Sequence, residues 1–118
     1  NGSASRTSGI LSKETGFGIP VIIADTQGRP WRRGAVNLAI GMAGMSPFTE
    51  NAGRQDLYGR QLRSSQVCLA DELAAAAELV MGQADEGIPV AIIRGVTYLI
   101  NHGSAEQIIR SRKEDLFR

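Results

Sequence analysis

Two adjacent oxygen-bearing residues, Asp25 and Thr26, follow the apolar run Ile19-Pro20-Val21-Ile22-Ile23-Ala24 and precede Gln27-Gly28-Arg29-Pro30-Trp31-Arg32-Arg33-Gly34. A carboxylate and a hydroxyl are hard ligands that suit a divalent cation, and nearby guanidinium groups suit phosphate oxygens. A metal-nucleotide or a phosphorylated substrate needs this combination. A strand end with a solvated basic turn accounts for the same spacing, and the residues alone leave both readings open. Asp56 with Tyr58 and Arg60 forms a second polar group, which equally describes a solvated turn. In a third, Gln83-Ala84-Asp85-Glu86-Gly87, glycines and acceptors could line a nucleotide or metal, or serve only as a connection.

Other reactive side chains favour plainer roles. Asp71 and Glu72 read as a solvated helix face. His102 has no second imidazole or cysteine near it, which argues against a zinc site. Cys68, the single cysteine, reads as a small core residue within a helix-like segment and excludes an intrachain disulfide. Neither a phosphate-binding Gly-x-x-x-x-Gly-Lys-Ser/Thr loop nor a Gly-x-Ser-x-Gly elbow occurs.

The elements that must position these groups follow from hydrophobic pattern and punctuation. Residues 4–15, with Ile10 and Leu11 among polar neighbours and Gly16 as a stop, predict a short amphipathic helix. A buried strand is expected over residues 19–24, rich in β-branched side chains, with Asp25 and Thr26 at its C-terminal end, where open α/β sheets hold ligands. The glycine-interrupted run 35–45 reads as a strand with a bulge or a close backbone approach. Residues 47–60 read as a long loop. Residues 61–81 give the strongest helical pattern, one face formed by Ala70, Leu73, Ala77 and Val80 and broadened by Leu69 and Ala76. The alanine run 74–77 leaves room for a closely packed neighbour, and Gly82 ends the helix. Residues 88–96 predict a second buried strand. Ser104-Ala105-Glu106-Gln107 and Ser111-Arg112-Lys113-Glu114 are capping-box patterns that open short C-terminal helices. The result is an α/β fold: a mixed sheet, a long packed helix and short C-terminal helices.

The 118 residues suit a single domain, and 42% apolar with 21% charged residues describes an ordinary globular chain. Lys and Arg number 13 against 12 Asp and Glu, so the basic surplus that non-specific nucleic-acid binding needs is missing. No apolar run approaches a membrane span, and the N-terminus lacks the pattern of a signal peptide, so a soluble, cytoplasmic protein is expected.

The ordered series Ala24-Asp25-Thr26-x-Gly28-Arg29-Pro30-Trp31-Arg32-Arg33-Gly34, Ala39-Ile40-Gly41, Asp56-Leu57-Tyr58-Gly59-Arg60, Ala70-Asp71-Glu72-Leu73-Ala74, Met81-Gly82-Gln83 and Pro89-Val90-Ala91-Ile92-Ile93-Arg94-Gly95 resembles the coenzyme F-420-0:L-glutamate ligase family, over its C-terminal part. The tail, from Ser111 onward, resembles archaeal-type members. The resemblance implies a GTP-dependent ligase, working with Mg2+ or Mn2+ and with K+ as a further cation, that adds L-glutamate to F-420-0 through an acyl phosphate. It also implies a homodimer. By position, Asp25 corresponds to a metal ligand, Thr26 to its neighbour on a second metal and Gln83 to another metal contact. Met81, Gly82, Gln83, Ala84, Asp85, Glu86, Gly87 and Ile88 correspond to a segment lining the guanine nucleotide. Arg29, Arg32 and Asp56 are candidate substrate or phosphate contacts; the resemblance assigns no catalytic residue. Family members are about twice this length, and their other half carries a Gly-x-Asp-x-Ser-Asn motif whose aspartate shares the first metal. That motif is not in this chain, so the polypeptide alone is expected not to catalyse ligation. The alternative is a non-catalytic dimerisation or interaction module of the same fold.

Overall fold

The computed structural model describes residues 1–50, 53–62 and 66–117. Helix α1, Gly2–Thr15, ends at Gly16, whose left-handed backbone (φ 76°) lets its N–H reach the Ser12 carbonyl at 2.9 Å. Only glycine adopts that conformation without penalty, so the helix stops where the sequence says it should.

Strands β1, Val21–Arg29, and β2, Arg32–Ala43, form an antiparallel hairpin closed over Pro30 and Trp31. The pairing jumps from Ile23 opposite Gly41 to Ala24 opposite Ala39, leaving Ile40 as the extra residue of a bulge. The bulge expected in this glycine-rich run is therefore present. β1 continues five residues past Ala24, however, so Asp25 and Thr26 lie inside a strand and not at its C-terminal end. Their hydrophilic neighbours do not terminate the strand, because β2 goes on offering a pairing partner as far as Arg32.

The segment 47–60 is not wholly a loop. Phe48–Glu50 forms β3, antiparallel to β4, Gln66–Cys68, and between them residues 53–62 make a second small hairpin, bridged at Gln55 and Gln61. Helix α2 spans Leu69–Met81, so the helical pattern starting at residue 61 begins eight residues late. Pairing with β3 claims Gln66–Cys68, and Cys68 becomes the residue preceding the helix.

α2 packs on β2 through Ala70 and Ala74, both buried, and Leu73 lies against the core. Small side chains permit this approach, as the alanine run implies. Val80 and Ala76 face solvent, which narrows the expected apolar face. Met42, Met45, Ala70 and Ala105 form the core, with Ile22, Ala39, Cys68, Leu69, Leu73, Tyr98 and Ile108 packed around them. Asn1 ties the periphery to it: its Oδ1 accepts hydrogen bonds from the Met42 N–H (3.3 Å) and the Ala105 N–H (3.0 Å).

Residues 88–96 depart from expectation. They form no strand, and Val90 and Ile92 are exposed. The outer edge of β2 is taken at Asn37 and Ala39 by carboxylates of α2, described below. At the C-terminus, Ser104 does form the expected capping box, opening a single 3₁₀ turn, Ala105–Ile108. The second box yields a turn closed by Ser111 and Glu114, so the C-terminal segment is largely non-helical. Phe117 then reaches back to Trp31 at the β1–β2 turn, with ring centroids 6.0 Å apart. The α/β composition stands, with two α-helices and two small antiparallel pairs of strands among the described residues. Among the described residues, no helix is long and apolar enough to cross a membrane.

Candidate metal and phosphate site

Asp25 and Thr26 are exposed in the polar half of β1, opposite Leu38 and Asn37. Alternation along a strand sends their side chains to opposite faces of the ribbon. The Asp25 carboxylate accepts the Thr26 N–H through Oδ1 at 2.8 Å, leaving Oδ2 outside that bond. The Thr26 hydroxyl donates to Asn37 Oδ1 at 3.1 Å. Asn37 is the one buried polar residue of the described core, only 8% exposed, and its own N–H donates to Glu78 Oε2 on α2 at 2.9 Å. Two residues further along the same edge, the Ala39 N–H donates to Asp71 Oδ1 at 3.0 Å.

Asp71 and Glu78 stand seven residues apart, two helical turns, and so share a face of α2. They cap alternate amides of β2 in place of a neighbouring strand, satisfying donors that would otherwise be costly to bury. The expected solvated face survives at Glu72 but not at Asp71, which is half-buried and structural. Sequence reasoning missed Asn37 and Glu78 altogether. A usable signal existed: Asn37 is a polar residue inside the apolar run 35–45, where a buried amide must find partners.

The other candidates are distributed more widely. Arg29 is half-buried and turns back on its hairpin, Nη2 donating to the Gly34 carbonyl at 3.4 Å; its buried Nε has no partner among the described residues. Arg32 and Arg33 are exposed at the start of β2. Asp56 organises the tip of the second hairpin, its Oδ1 accepting the N–H groups of Tyr58 and Arg60, each at 2.8 Å. Its carboxylate thereby holds a turn together, and the tip carries exposed Leu57 and Tyr58 beside an open surface hollow lined by Asp56, Tyr58 and Arg60.

Beyond α2, Gly82 adopts φ 68° and ψ −175°, a backbone region open essentially to glycine. The Glu86 carboxylate folds over it and accepts the Ala84 N–H at 2.9 Å. This tight turn displays Gln83, Ala84, Asp85 and Gly87 to solvent, with Met81 half-buried and Ile88 partly exposed. Gln83 lies five residues past Glu78, on the far side of the helix terminus. Hydrogen bonds unite Asp25, Thr26, Asn37 and Glu78; Asp56 belongs to a separate hairpin.

The Asp25 carboxylate, the Thr26 hydroxyl and the Gln83 carboxamide are each oxygen donors of the kind Mg2+ or Mn2+ takes, but Asp25 and Thr26 point to opposite faces of the ribbon and so suit two ions, not one. Among the described residues, no three His, Cys, Asp or Glu side chains cluster as a metal-holding group. The chain offers a sparse set of oxygen donors and not a closed cage. Cys68 is a weakly reactive thiol: burial pushes it up from 9.0 to about 11, and the adjacent Asp71 carboxylate adds to the rise.

Comparison with known proteins places this sequence in a family. Residues 1–95 match the family model described as F420-0:Gamma-glutamyl ligase. The chain is 52% identical over 120 residues to the coenzyme F420:L-glutamate ligase of Methanothermobacter thermautotrophicus, with 100% of this chain and 48% of the relative covered. Against the proteins of the same name from Methanocaldococcus jannaschii and Archaeoglobus fulgidus it is 47% and 44% identical, covering 98% and 100% of this chain and 47% of each relative. The chain spans about half the length of the curated relatives it matches. With its first 95 residues accounted for by one family model, this chain belongs to the F420-0:gamma-glutamyl ligase family.

Proposed function

We propose that this chain supplies part of the metal and phosphate machinery of a GTP-dependent ligase that joins L-glutamate to F-420-0. The observation that carries the reading is the Asp25–Thr26 pair: two exposed oxygen ligands on a hairpin braced from α2, in a chain of this family. Asp25, Thr26 and Gln83 would hold divalent cations, Mg2+ or Mn2+ with K+ alongside. Such cations neutralise phosphate charge and hold a transferring phosphoryl group in line. The turn from Met81 to Ile88 would run along the guanine nucleotide, and exposed Arg32 is free to meet phosphate.

The chemistry is an acyl transfer in two steps. A carboxylate oxygen of the F-420-0 precursor attacks the γ-phosphorus of GTP, and GDP leaves. The glutamate amine then attacks the acyl carbon, releasing inorganic phosphate and leaving an amide. Asp25 and Thr26 bind and orient; no residue of this chain is assigned the proton transfer from the amine.

The sparse donor set supports a site shared with residues outside this chain, so the isolated polypeptide is expected to be inactive. Incubation with F-420-0, L-glutamate, GTP and Mn2+ should give no glutamylated product by mass spectrometry. Product formation would overturn the shared site. A cytoplasmic homodimer belongs to the same proposal. Exposed Val90, Ile92, Leu99 and Ile100 supply apolar surface for it, and sedimentation at increasing concentration tests it.

A further inference from the structure

A hydroxyl that binds a cation must present a lone pair to it, so its proton has to be aimed elsewhere. In this structure the Thr26 proton is directed to Asn37 Oδ1 at 3.1 Å, across the non-bonded flank of the β1–β2 ladder. Asn37 is fixed in turn. It is almost wholly buried, and its N–H is held by Glu78 Oε2. A buried amide at this point is an expensive choice if the strand needs only to pack, since an apolar residue fits a pleated surface at least as well. From this geometry we infer that Asn37 is a positioning residue, which accepts the Thr26 proton and thereby turns the hydroxyl oxygen outward as a cation or phosphate-metal ligand, with Glu78 locking its backbone.

The inference rests on the proposed metal-binding role of Thr26 and extends it to residues with no direct ligand contact. Partners of this kind orient ligands without touching the ion, and removing them lowers metal affinity by roughly tenfold to a hundredfold. Asp at position 37 would still accept the proton. Leu would not.

The test is Mn2+ titration of the full chain by calorimetry, with melting temperature recorded for each variant. Thr26→Val and Asn37→Leu should each weaken the Thr26-dependent binding by about tenfold or more. Asn37→Asp and Thr26→Ser should retain it, and Asn37→Leu in the Thr26→Val background should cause no further loss. Thr26 is exposed, so the Val and Ser variants remain informative even if Asn37→Leu fails to fold. In that case Asn37→Asp against Asn37→Ser carries the comparison, Ser being too short to reach Oγ1. A second readout is the Thr26 χ1 rotamer, measured by NMR scalar couplings in the metal-free chain, which should be fixed in the parent and averaged in the Asn37→Ser variant. Mn2+ binding that depends on Thr26 but is indifferent to residue 37 overturns the inference alone. Binding insensitive to both Asp25→Ala and Thr26→Val overturns the metal site itself, and the inference with it.

Discussion

Replacing Asp71 with Ala should destabilise the chain far more than its position on a helix surface suggests. Its Oδ1 accepts the Ala39 N–H at 3.0 Å, on the strand edge that faces α2, and truncation leaves that amide without its acceptor. A hydrogen bond to a charged group contributes about 1.5–3 kcal/mol, and an orphaned buried donor costs about 1–3 kcal/mol. Asp71 is half-buried and water can reach part of the gap, so the lower end, roughly 1.5–2 kcal/mol, is expected. With a urea slope of about 1.5 kcal/mol per molar, the midpoint should fall by roughly 1 M. Asp71→Asn keeps a carbonyl acceptor and should recover at least half of the loss. The same substitution removes a charge that helps raise the Cys68 thiol, so Cys68 should alkylate faster in Asp71→Asn than in the parent. Urea unfolding followed by far-UV dichroism, with alkylation measured in parallel, reads both effects. An Asp71→Ala midpoint within about 0.3 M of the parent would refute the capped-edge account of β2.

Three further outcomes follow from the structure. Gly103 is buried, and a Cβ there would strike the Met45 carbonyl and lie 2.9 Å from Pro47 Cδ, so Gly103→Ala should cost about 1–3 kcal/mol, seen as a lower melting temperature. Cys68 is held protonated up to about 11 in the folded chain, so its contribution is intact below pH 9 and is lost as pH rises from about 9 towards 11, where the unfolded thiol ionises first. Stability of the parent minus that of Cys68→Ala should therefore fall between pH 8 and 10.5, and at pH 8 the native thiol should alkylate roughly a hundredfold more slowly than the unfolded one. Residues 88–96 lie outside any strand, so their amides should exchange with deuterium within seconds, while those of the β1–β2 ladder are protected.

Local chemistry was the legible part of the sequence. Gly16 marks the end of α1, Ser104 and Gln107 close their box, Gly82 stops α2 and the glycine-broken run around Ile40 makes a bulge, because each depends on neighbours within a few residues. What failed depended on distant partners. Gln66–Cys68 left the helical pattern because β3 was there to pair with it, and the run 88–96 pairs with none of the described strands. The site divides in the same way. Asp25 and Thr26 stand out as candidates by type and order alone, whereas Asn37 and Glu78 lie 11 and 52 residues from Thr26, and only the folded hairpin against α2 brings them to it. At Asp56 the turn that the sequence also offered is present, its Oδ1 accepting the N–H groups of Tyr58 and Arg60.

Under the proposed function, Asp25 and Thr26 give this chain a metal-dependent grip on a guanine nucleotide. Calorimetric titration of GTP in the presence of Mn2+, on the parent chain and on Asp25→Ala, tests it most directly. The proposed site predicts Mn2+-dependent GTP binding by the parent, weakened at least tenfold in Asp25→Ala, with melting temperature unchanged because, among the described residues, the exposed carboxylate bonds only to the adjacent amide. Equal binding by the two chains, or none by either, would contradict it.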